Sequence, residues 1–444
     1  MLNGIIVGAG HRALTYASYA QQHPDKVRIV GVADPIAARR DEVAALYNLP
    51  AENCFSSAEA LASRPKLADF VINGTMDHQH VATALPLLAA GYHMLLEKPF
   101  ATNEEEMWQL VDAAQQHERQ VVICHVLRFA PFYAAIRQKV LDSTIGKLIN
   151  IQAVEHVSYH HMAVGFVRGK WNSKAKCFSP MLMAKCCHDL DLITWMKSGV
   201  PPTRVSSFGS NMQFRPEQAP EGAGERCLTD CTIEADCLYS ARKHYLDHSN
   251  RWAFYVWDAL QHERQPAHVL HKHYSELTLE EKETWLATDN PYGRCVWKCD
   301  NDVVDHQSVA IEFADGATAT LNMVGGAAKP SRSLHLLGTQ GEIQGNLEES
   351  RFVIRSIDPR PGSEYAEEVV DLTQGGDMTG AFGGHGGGDL RLMADFVQLL
   401  NGQEPSISTT TLADSVNGHL VGFCADRAME EGRVMTVRTT VHTD

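Results

Sequence analysis

Residues 1–125 alternate short apolar runs with stretches whose apolar residues recur at the helical period, and this alternation constrains the fold more than any other feature. Asn103 followed by three glutamates marks one helix start, because a capping side chain and an acidic first turn suit a helix N-terminus. Strands that alternate with helices form a parallel sheet covered on both faces. The sequence therefore predicts an α/β fold, with a doubly wound parallel sheet in residues 1–127. Strands are predicted at 4–7, 27–34, 69–74, 93–98 and 120–125, and helices at 80–90 and 104–117.

After Pro131 the pattern changes to fewer helices and many strand-like stretches, several of them bounded by turn dipeptides such as Asp315-Gly316. This half predicts an α+β domain with a large open mixed sheet, spanning residues 128–444. A segment at about 213–299, rich in Cys, His, Trp and Tyr, is interpreted as an insertion without an obvious core of its own. Helices are predicted at 132–141, near 188–197, 390–400 and 412–431, and strands at 148–156, 203–209, 308–313, 317–323, 333–337 and 352–357.

Composition narrows the class of protein. The chain has 39 Lys plus Arg against 54 Asp plus Glu, a net charge of −15, which disfavours binding to nucleic acid or to an anionic membrane surface. No apolar run approaches the roughly 20 residues that span a bilayer. The 11 cysteines are odd in number and spread along the chain, unlike a secreted disulfide framework. We therefore expect a cytoplasmic protein with reduced or metal-bound thiols and no nucleic-acid or membrane partner.

The run Gly8-Ala9-Gly10-His11-Arg12-Ala13 follows the first predicted strand directly and opens a helical stretch. In this context a GxGxxA pattern binds a dinucleotide. Gly8 allows the tight turn, Gly10 admits the pyrophosphate to the backbone, and Ala13 lets the helix pack closely on the strand. The first domain is therefore predicted to be a dinucleotide-binding Rossmann fold.

Asp34 ends the second predicted strand, where a carboxylate accepts hydrogen bonds from the adenosine ribose hydroxyls. The same carboxylate would repel a 2′-phosphate. NAD is therefore favoured over NADP, with Arg39 and Arg40 nearby as the argument for NADP.

Further motifs follow the later strands. They are Thr75 with Asp77-His78-Gln79-His80, Glu97-Lys98-Pro99, His125 with Arg128-Phe129-Ala130-Pro131, and His188-Asp189-Leu190-Asp191 on a predicted helix. Together with the glycine-rich loop and Asp34, these motifs resemble the Gfo/Idh/MocA oxidoreductases of sugars and cyclitols over nearly the whole chain. The resemblance implies NAD as cofactor, a carbohydrate-type small molecule as substrate, and a homodimer or homotetramer.

The resemblance also implies catalytic roles. It places Lys98 beside the nicotinamide and the substrate hydroxyl, and makes His188 the acid/base. Histidine titrates near neutral pH, and a lysine can stabilise a developing alkoxide, with burial beside the nicotinamide expected to lower its pKa. The family's usual Asp is Ala184 here, so Lys185, which shares a helix face with His188, is predicted to contact substrate or replace that acid. Cofactor contacts are implied at Gly8, Gly10, His11, Arg12, Asp34, Thr75, Met76 (in place of the usual Pro), His78, His80, Glu97, Lys98 and His125.

Substrate contacts are predicted from side-chain chemistry. Arg168, Lys170 and Trp171 are candidates to grip a polar or anionic sugar, because Trp offers a stacking face and Arg a planar fork of donors. The alternative for them is a loop that packs on the sheet. His385, flanked by glycines, is predicted at the mouth of the active site, or else in a loop that caps the following helix with Asp389. The remaining predicted substrate contacts are Arg128, Tyr159 and Asp191.

Cysteines cluster in the insertion. Cys227, Cys231, Cys237 and Cys299, with Cys295 close by, could complete a structural zinc site, although the spacing is not a standard CxxC pair. An iron–sulfur cluster and reduced, partly buried thiols are the alternatives.

Three functions remain open at this stage. The first is an NAD-dependent dehydrogenase of a sugar, glycoside, sugar acid or cyclitol. The second, drawn from other members of the family, is a glycoside hydrolase in which NAD transiently oxidises sugar C3, with Tyr159 as the additional base. The third is a cofactor-binding sensor, which Lys98 and His188 argue against because a pure binder needs no acid/base pair.

Overall fold

The computed structural model of the protein describes residues 1–248, 251–262, 273–373 and 387–438. Its first sheet is parallel throughout, in the order β3-β2-β1-β4-β5-β6. This order reverses direction beside β1 and confirms the doubly wound fold. The strands are β1 (Leu2–Val7), β2 (Val27–Ala33), β3 (Cys54–Phe55), β4 (Phe70–Asn73), β5 (His93–Leu96) and β6 (Val121–Ile123), and the helices are α1 (His11–Ala17), α2 (Tyr19–Gln22), α3 (Ala37–Tyr47), α4 (Ala58–Ala62), α5 (His80–Ala89) and α6 (Glu104–Gln116).

Local sequence explains these elements. Residues 4–7 of β1 and all of β4 are buried, as expected of strands covered by helices on both faces. Helix α6 begins after Asn103, whose side chain accepts a hydrogen bond from the Glu106 backbone N–H, and three glutamates occupy its first turn. The carboxyl ends of the strands therefore meet at one edge, where the motif residues lie.

A mixed sheet forms the second half, and nine strands of it lie in the described residues, in the order β14-β13-β12-β11-β7-β10-β9-β8-β15. This confirms the predicted α+β domain. The strands are β7 (Leu148–Ser158), β8 (Pro202–Ser210), β9 (His306–Phe313), β10 (Thr318–Ala327), β11 (Ser331–Gly338), β12 (Gly341–Asn346), β13 (Arg351–Ile357), β14 (Tyr365–Asp371) and β15 (Met435–Thr436). The helices are α7 (Pro131–Leu141), α8 (Tyr159–His161), α9 (Lys174–Cys177), α10 (Met181–Met196), α11 (Ala253–Trp257), α12 (Leu279–Ala287), α13 (Gly388–Leu400) and α14 (Leu412–Glu431).

Helix α10 is the central element of this half, and nearly every one of its side chains is buried. It packs on β7 and β10 on one side and on α14 on the other. Gly418 of α14 allows the close approach, because a Cβ there would lie 3.2 Å from the Asp191 backbone. Because α10 is packed along its whole length, the position of His188 on it is fixed.

The insertion consists of short helices and turns, and it has a buried cluster that the sequence did not reveal. Tyr245, Trp257, Trp285 and Tyr292 form this aromatic cluster together with smaller apolar side chains. Aromatic residues bury large areas from few positions, so a short segment can still build a core.

Within the part of the chain that the structure describes, no helix combines the length and the apolar character needed to cross a membrane.

Candidate active site

The glycine-rich loop after β1 has the geometry that a dinucleotide needs. Gly8 has φ +75°, and a Cβ there would lie 2.7 Å from the Thr75 backbone nitrogen. Gly74, at the end of β4, approaches α1 so closely that its Cβ would lie 2.8 Å from the Ala13 Cβ. Gly10 precedes α1 with extended backbone and no side chain in the way. The residues present therefore fit a bound NAD, with backbone exposed at Gly8 and Gly10.

Asp34 connects the loops that follow β1 and β2. Its Oδ2 accepts from the Ala9 N–H at 2.8 Å and its Oδ1 from the Ile36 N–H at 2.8 Å, and the residue is 2% exposed. Arg39 Nη1 lies 3.8 Å from Oδ2. The carboxylate thus lies at the predicted place, at the end of β2, and is itself held rigidly.

His11 and Arg12, both predicted to contact the cofactor, also contact other parts of the protein. Arg12 donates to Glu97 Oε1 at 3.0 Å and also contacts the Tyr16 hydroxyl and Asp389. The His11 ring lies 4.9 Å from the ring of Phe254 in the insertion. Arg12 therefore joins the two halves, whereas His11 is partly covered by the insertion.

The loop after β4 is tied to the Glu97-Lys98-Pro99 turn by His80. The His80 ring nitrogens lie 3.1 Å from the Thr75 carbonyl oxygen and 2.7 Å from the Pro99 carbonyl oxygen. His80 therefore links these two loops, and its contact with the cofactor stays a prediction. Of the other predicted contacts, Met76 Sδ lies 3.7 Å from Lys170 Nζ, and the His78 ring lies 5.1 Å from the Phe178 ring.

Glu97 anchors the turn that carries Lys98, and the Lys98-Pro99 peptide is cis. Glu97 accepts from the Tyr16 hydroxyl at 2.7 Å and from the Lys98 backbone N–H at 2.9 Å. Burial favours the neutral acid, but Arg12 and Lys98 outweigh it and hold the pKa of Glu97 below its usual value. Glu97 is therefore a buried anion that orients the backbone at Lys98.

Lys98 reaches helix α10 directly, since its Nζ donates to the Ala184 carbonyl oxygen at 2.9 Å. Burial opposes its charge, but Cys187, Glu97 and Asp77 outweigh burial and raise the pKa of Lys98. The protein's own groups therefore raise the pKa of Lys98, and the lowering expected beside a bound nicotinamide stays a prediction. Lys98 is an ammonium, which suits stabilisation of negative charge better than proton abstraction.

His188 lies one helical turn after Ala184, on the same face of α10. It is 4% exposed, and its ring lies 5.8 Å from the His125 ring, edge to face. His125 follows β6, and its pKa is lowered well below the usual value by burial and by Arg128 and Lys98. Lys98, His125 and His188 thus converge at the carboxyl ends of β5 and β6.

Lys185 has an ion-pair partner. Its Nζ lies 2.9 Å from Glu155 Oε1, while Arg332 Nε lies 2.6 Å from Glu155 Oε2 and 3.0 Å from Asp189 Oδ1. Burial raises the pKa of Asp189 to about 6. This network holds α10 against β7 and β11, so the geometry gives Lys185 a positioning role, and its contact with substrate stays a prediction.

Arg128 and Asp191 satisfy each other in the interior. Arg128 Nε and Nη2 donate to the two Asp191 oxygens at 2.7 and 2.6 Å, and the side chains are 2% and 1% exposed. Asp191 Oδ1 also lies 3.7 Å from His125 Nε2. The remaining Arg128 nitrogen, Nη1, donates to the Thr409 carbonyl oxygen at 3.3 Å. Both side chains are thus engaged within the protein, and their contact with substrate stays a prediction.

The donors of Arg168 are also engaged within the protein. It donates to the carbonyl oxygens of Arg294 and Tyr239 at 2.7 and 2.8 Å, and so fastens the insertion to the domain. Lys170 lies beside the loop that follows β4, with its Nζ 3.7 Å from Met76 Sδ and 4.5 Å from the Trp171 ring centre. The region bordered by Asp77, Lys98, Lys170, Trp171 and Tyr255 is called the cleft below. The structure therefore gives Arg168 a positioning role at the base of the insertion, and the substrate contacts of Arg168, Lys170 and Trp171 stay predictions.

Two further predicted substrate contacts have other outcomes. Tyr159 packs against insertion rings, 5.3 Å from His244 and 6.1 Å from Tyr239 between ring centres. His385 lies outside the described residues.

The cysteine prediction needs a correction. Cys227, Cys231 and Cys237 line one cavity together with Cys295, whereas the Cys299 thiol donates to the Cys295 carbonyl oxygen at 3.2 Å. Among the described residues, no group of three or more His, Cys, Asp or Glu side chains is close enough to hold a single metal ion. The geometry therefore does not support a zinc centre with Cys299 as a ligand.

The sequence did not single out three residues that border this cleft. Asp77, within the motif after β4, has a buried Oδ2 without a hydrogen-bond partner and raises the pKa of Lys98. The His161 ring lies 4.6 Å from the Trp252 ring, and its pKa is lowered well below the usual value by burial and by Lys185. Tyr255 comes from the insertion, 6.3 Å from Trp171 between ring centres. The motif after β4 could have identified Asp77, whereas no motif in the sequence marks Tyr255.

Buried histidines predict a loss of stability in acid. Burial lowers the pKa of His125 and His419 well below 6.5. Below pH 6.5 the unfolded chain therefore binds protons that the folded chain does not, and the free energy of unfolding decreases as the pH is lowered. Together they should cost about 2 kcal/mol of unfolding free energy between pH 6 and 5. Urea unfolding should show that His419→Gln removes about half of this pH-dependent loss of unfolding free energy, and Gln keeps an acceptor for the Phe100 N–H. The control His117→Gln should retain the full loss. Equal pH slopes in the wild type and His419→Gln would contradict the assignment.

Family models match both halves of the chain. One, described as "Oxidoreductase family, NAD-binding Rossmann fold", matches residues 2–125, and its companion, "Oxidoreductase family, C-terminal alpha/beta domain", matches residues 138–437. The chain is 25% identical to the oxidoreductase YteT of Bacillus subtilis (strain 168) over 341 residues, which are 76% of this chain and 73% of YteT. It is 32% identical to UDP-N-acetylglucosamine 3-dehydrogenase of Acidithiobacillus ferrooxidans over 204 residues, 46% of this chain and 56% of that enzyme.

Solved structures share the whole fold at low identity. A levoglucosan dehydrogenase in complex with NADH aligns with a TM-score of 0.67 at 14% identity, covering 98% of this chain and 99% of that one. The WlbA dehydrogenase of Bordetella pertussis, in complex with NADH and UDP-GlcNAcA, aligns with a TM-score of 0.65 at 15% identity, covering 98% of each chain. The family models span nearly the full length. The chain therefore belongs to the Gfo/Idh/MocA family of NAD-binding oxidoreductases.

Proposed function

We propose that the protein is an NAD-dependent dehydrogenase that oxidises a secondary alcohol of a sugar, glycoside, sugar acid or cyclitol. The observation that carries the proposal is the contact of Lys98 Nζ with Ala184 of α10, one helical turn from His188. An ammonium and an imidazole are thereby brought to the edge of the sheet where a Rossmann fold binds its nicotinamide.

The residues divide the chemistry between them. Bound NAD supplies the acceptor for hydride from the carbinol carbon. His188 takes the hydroxyl proton, because an imidazole is the group best matched to proton transfer near neutral pH. The Lys98 ammonium stabilises the negative charge that develops on the oxygen, and Glu97 holds the lysine backbone in place. His125, buried and neutral, adds no competing charge beside the reacting carbon.

Sugar-type substrates are favoured by the walls of the cleft and by the relatives. Trp171 and Tyr255 provide aromatic faces and Lys170 and Asp77 provide charges, the combination that binds a polar ring. Curated and structural relatives include dehydrogenases of a nucleotide sugar and of levoglucosan. Tyr159, which the hydrolase alternative needs as a base, faces insertion rings, so we place the dehydrogenase first.

A panel of sugars, cyclitols and aryl glycosides tests this function. NADH absorbance and released aglycone are followed together with purified protein, before and after removal of bound nucleotide. The proposal expects NADH in proportion to substrate oxidised, with no aglycone released. Release of aglycone over many turnovers without net NADH, and only with NAD present, would establish the hydrolase instead.

Asp34 is expected to select NAD over NADP. Removing its carboxylate in Asp34→Ser should lower the ratio of kcat/KM for NAD to kcat/KM for NADP at least about fivefold, because a repulsion of about 1 kcal/mol or more at close range is lost. The ratio cancels any general loss of folded enzyme. An unchanged ratio in folded Asp34→Ser would contradict the role.

The insertion is expected to slow the release of the cofactor. Phe254 lies on His11 of the glycine-rich loop, and Arg39 beside Asp34 donates to the Leu260 carbonyl oxygen at 2.8 Å. Phe254→Ala removes an aromatic contact of about 1 kcal/mol and should speed NADH dissociation about threefold to tenfold, measured by stopped-flow fluorescence. Phe208→Ala, at an exposed position on β8, is the control. Equal release rates in the two variants would refute the prediction.

A further inference from the structure

Asp77 brings a carboxylate to the cleft without a hydrogen-bond donor for it. The residue begins the short helical turn after β4 and is 7% exposed, and its Oδ2 is buried without a hydrogen-bond partner. Buried polar atoms in proteins are nearly always paired, so an unpaired carboxylate oxygen beside the reacting groups needs an explanation. A bound molecule that donates a hydrogen bond to Asp77 would provide it.

Lys170 brings an ammonium to the same place. Its Nζ contacts the Met76 thioether at 3.7 Å and the Trp171 ring at 4.5 Å, and it forms no ion pair with a carboxylate in the part of the chain that the structure describes. Met76 directly precedes Asp77. Desolvation lowers the pKa of Lys170, and Asp77 is the first of the groups that oppose this lowering. Since a thioether is a weak acceptor, the ammonium has donors left for a ligand.

Tyr255 reaches the cleft from α11 of the insertion. Its ring lies 6.3 Å from the Trp171 ring between centres, and its hydroxyl forms no hydrogen bond with any described residue. Burial raises the pKa of this hydroxyl, while Arg12 and Lys98 oppose the rise, so the phenol is neutral and faces the cationic side of the cleft. A neutral phenol both donates and accepts hydrogen bonds, and the described residues use neither capacity here.

Contacts of α11 with both halves of the protein set the position of Tyr255. Trp252, which precedes the helix, has φ +59°, a left-handed conformation that a large side chain adopts only when its surroundings hold it there. Its indole Nε1 donates to His160 Nδ1 at 3.1 Å, and the Phe254 ring lies 4.9 Å from the His11 ring. The helix therefore connects the second half of the chain to the glycine-rich loop and directs Tyr255 into the cleft.

The chemistry of these groups fits two neighbouring hydroxyls of an uncharged ring. One hydroxyl can donate to the Asp77 carboxylate and the next can accept from the Lys170 ammonium, while Trp171 offers an apolar face to the ring. Lys98 is engaged with the reacting oxygen, so the charges left in the cleft are those of Asp77 and Lys170, which cancel. A carboxylate or phosphate on the ring would be attracted by Lys170 but repelled by Asp77.

We propose that Asp77, Lys170 and Tyr255 bind the hydroxyls on the carbons next to the reacting carbinol, and that the substrate is an uncharged sugar or cyclitol with a vicinal diol there. Sugar acids and sugar phosphates are then poor substrates. The inference rests on the proposed dehydrogenase function and narrows its substrate class. It also gives the insertion a share in specificity, because the insertion supplies Tyr255.

Matched pairs of substrates test the proposal on the wild-type protein. Methyl glycosides of glucose, galactose and mannose are each compared with the methyl glycoside of the corresponding uronic acid, by NADH formation at saturating NAD. We expect kcat/KM to be at least about tenfold higher for the uncharged member of a pair. An analogue of the best substrate without one hydroxyl next to the oxidised carbon should lose about 10²-fold or more in kcat/KM, because it leaves a polar group of the cleft unpaired.

Two variants assign these effects to the named side chains. In Asp77→Asn the preference for the uncharged member of a pair should fall at least about fivefold, because the repulsion of the acid is removed. Tyr255→Phe removes only the hydroxyl, and it should raise KM for the best substrate about fivefold to tenfold while the Kd for NAD stays within about twofold. Tyr365→Phe, at an exposed position on β14, is the matched control and should leave KM unchanged.

Failure of this inference can be told apart from failure of the proposed function. If NADH forms and the acids are oxidised as efficiently as their uncharged partners or better, the dehydrogenase stands and the diol subsite is refuted. An unchanged preference in Asp77→Asn together with weaker binding of NAD would assign the carboxylate to the cofactor instead. No NADH from any ring, charged or uncharged, would refute the proposed function and the subsite with it. Because the substrate pairs are compared on the wild type, a variant that does not fold leaves the test intact.

Discussion

Replacing Lys98 with Met should lower kcat by about 10³-fold while the Kd for NAD changes by less than about threefold. The ammonium is the only described cation that reaches α10 from the Glu97-Lys98-Pro99 turn, and loss of one preorganised group at a developing oxyanion costs about 10² to 10³ in kcat. Met keeps the length and apolar stem of the side chain, so packing against α10 is largely preserved. Steady-state kinetics with the best substrate of the panel and NAD titration by protein fluorescence measure the two quantities.

A matched control separates this effect from loss of charge in general. Lys147→Met removes an exposed ammonium at the start of β7 and should leave kcat within about twofold. If Lys98→Met kept more than a tenth of wild-type kcat, the ammonium would not be stabilising the transition state, and the assignment of Lys98 would fail.

Breaking the pair between Arg128 and Asp191 should cost about 3 to 5 kcal/mol of unfolding free energy. Asp191→Ala leaves a guanidinium buried without its carboxylate, and the pair lies between α10 and the segment that follows β6. Urea unfolding of the variant measures the loss through the shift in midpoint at constant slope. Loss of activity should accompany it, because the same carboxylate lies 3.7 Å from His125.

Two controls define the meaning of that loss. The double variant Arg128→Leu with Asp191→Leu should recover most of the stability, because it removes both charges and leaves neither unpaired. Arg204→Ala breaks a pair with Glu312 on the exposed face of the sheet and should leave the free energy of unfolding nearly unchanged, because water screens exposed ion pairs. A loss in Asp191→Ala no larger than that of Arg204→Ala would show that the buried pair has no special weight.

The sequence predicted the fold well where the local signal was strong. The apolar runs of β1, β2 and β4 and the capped start of α6 were visible directly. Helix α10 begins at Met181, earlier than the predicted start near 188, because its first turn has neither a capping side chain nor acidic residues to mark it. Strand β14 was not predicted, since its residues 365–371 are mostly exposed and include adjacent glutamates, as an edge strand permits.

Motifs in the sequence predicted part of the site. The chemistry of single residues did not predict which partners they have. Lys98 and His188 were identified because motifs at fixed positions carry them. Arg168 was expected at the substrate because arginine suits anionic ligands, and Arg128 was expected there with its motif. Their partners lie far away in the chain, at Arg294 and Asp191. Such pairing depends on tertiary packing, which the sequence pattern does not contain.

Transfer of deuterium from substrate to cofactor is a direct measure of hydride transfer to NAD. A sugar or cyclitol that the panel identifies is prepared with deuterium on the carbinol carbon and incubated with stoichiometric enzyme and NAD, and the cofactor is analysed by mass spectrometry. We expect one deuterium in the reduced nicotinamide with wild-type protein, and a transfer rate lower by about 10² to 10⁴ in His188→Asn that still binds NAD. Substrate conversion with no deuterium in the cofactor, or equal transfer rates in His188→Asn and wild type, would contradict this expectation.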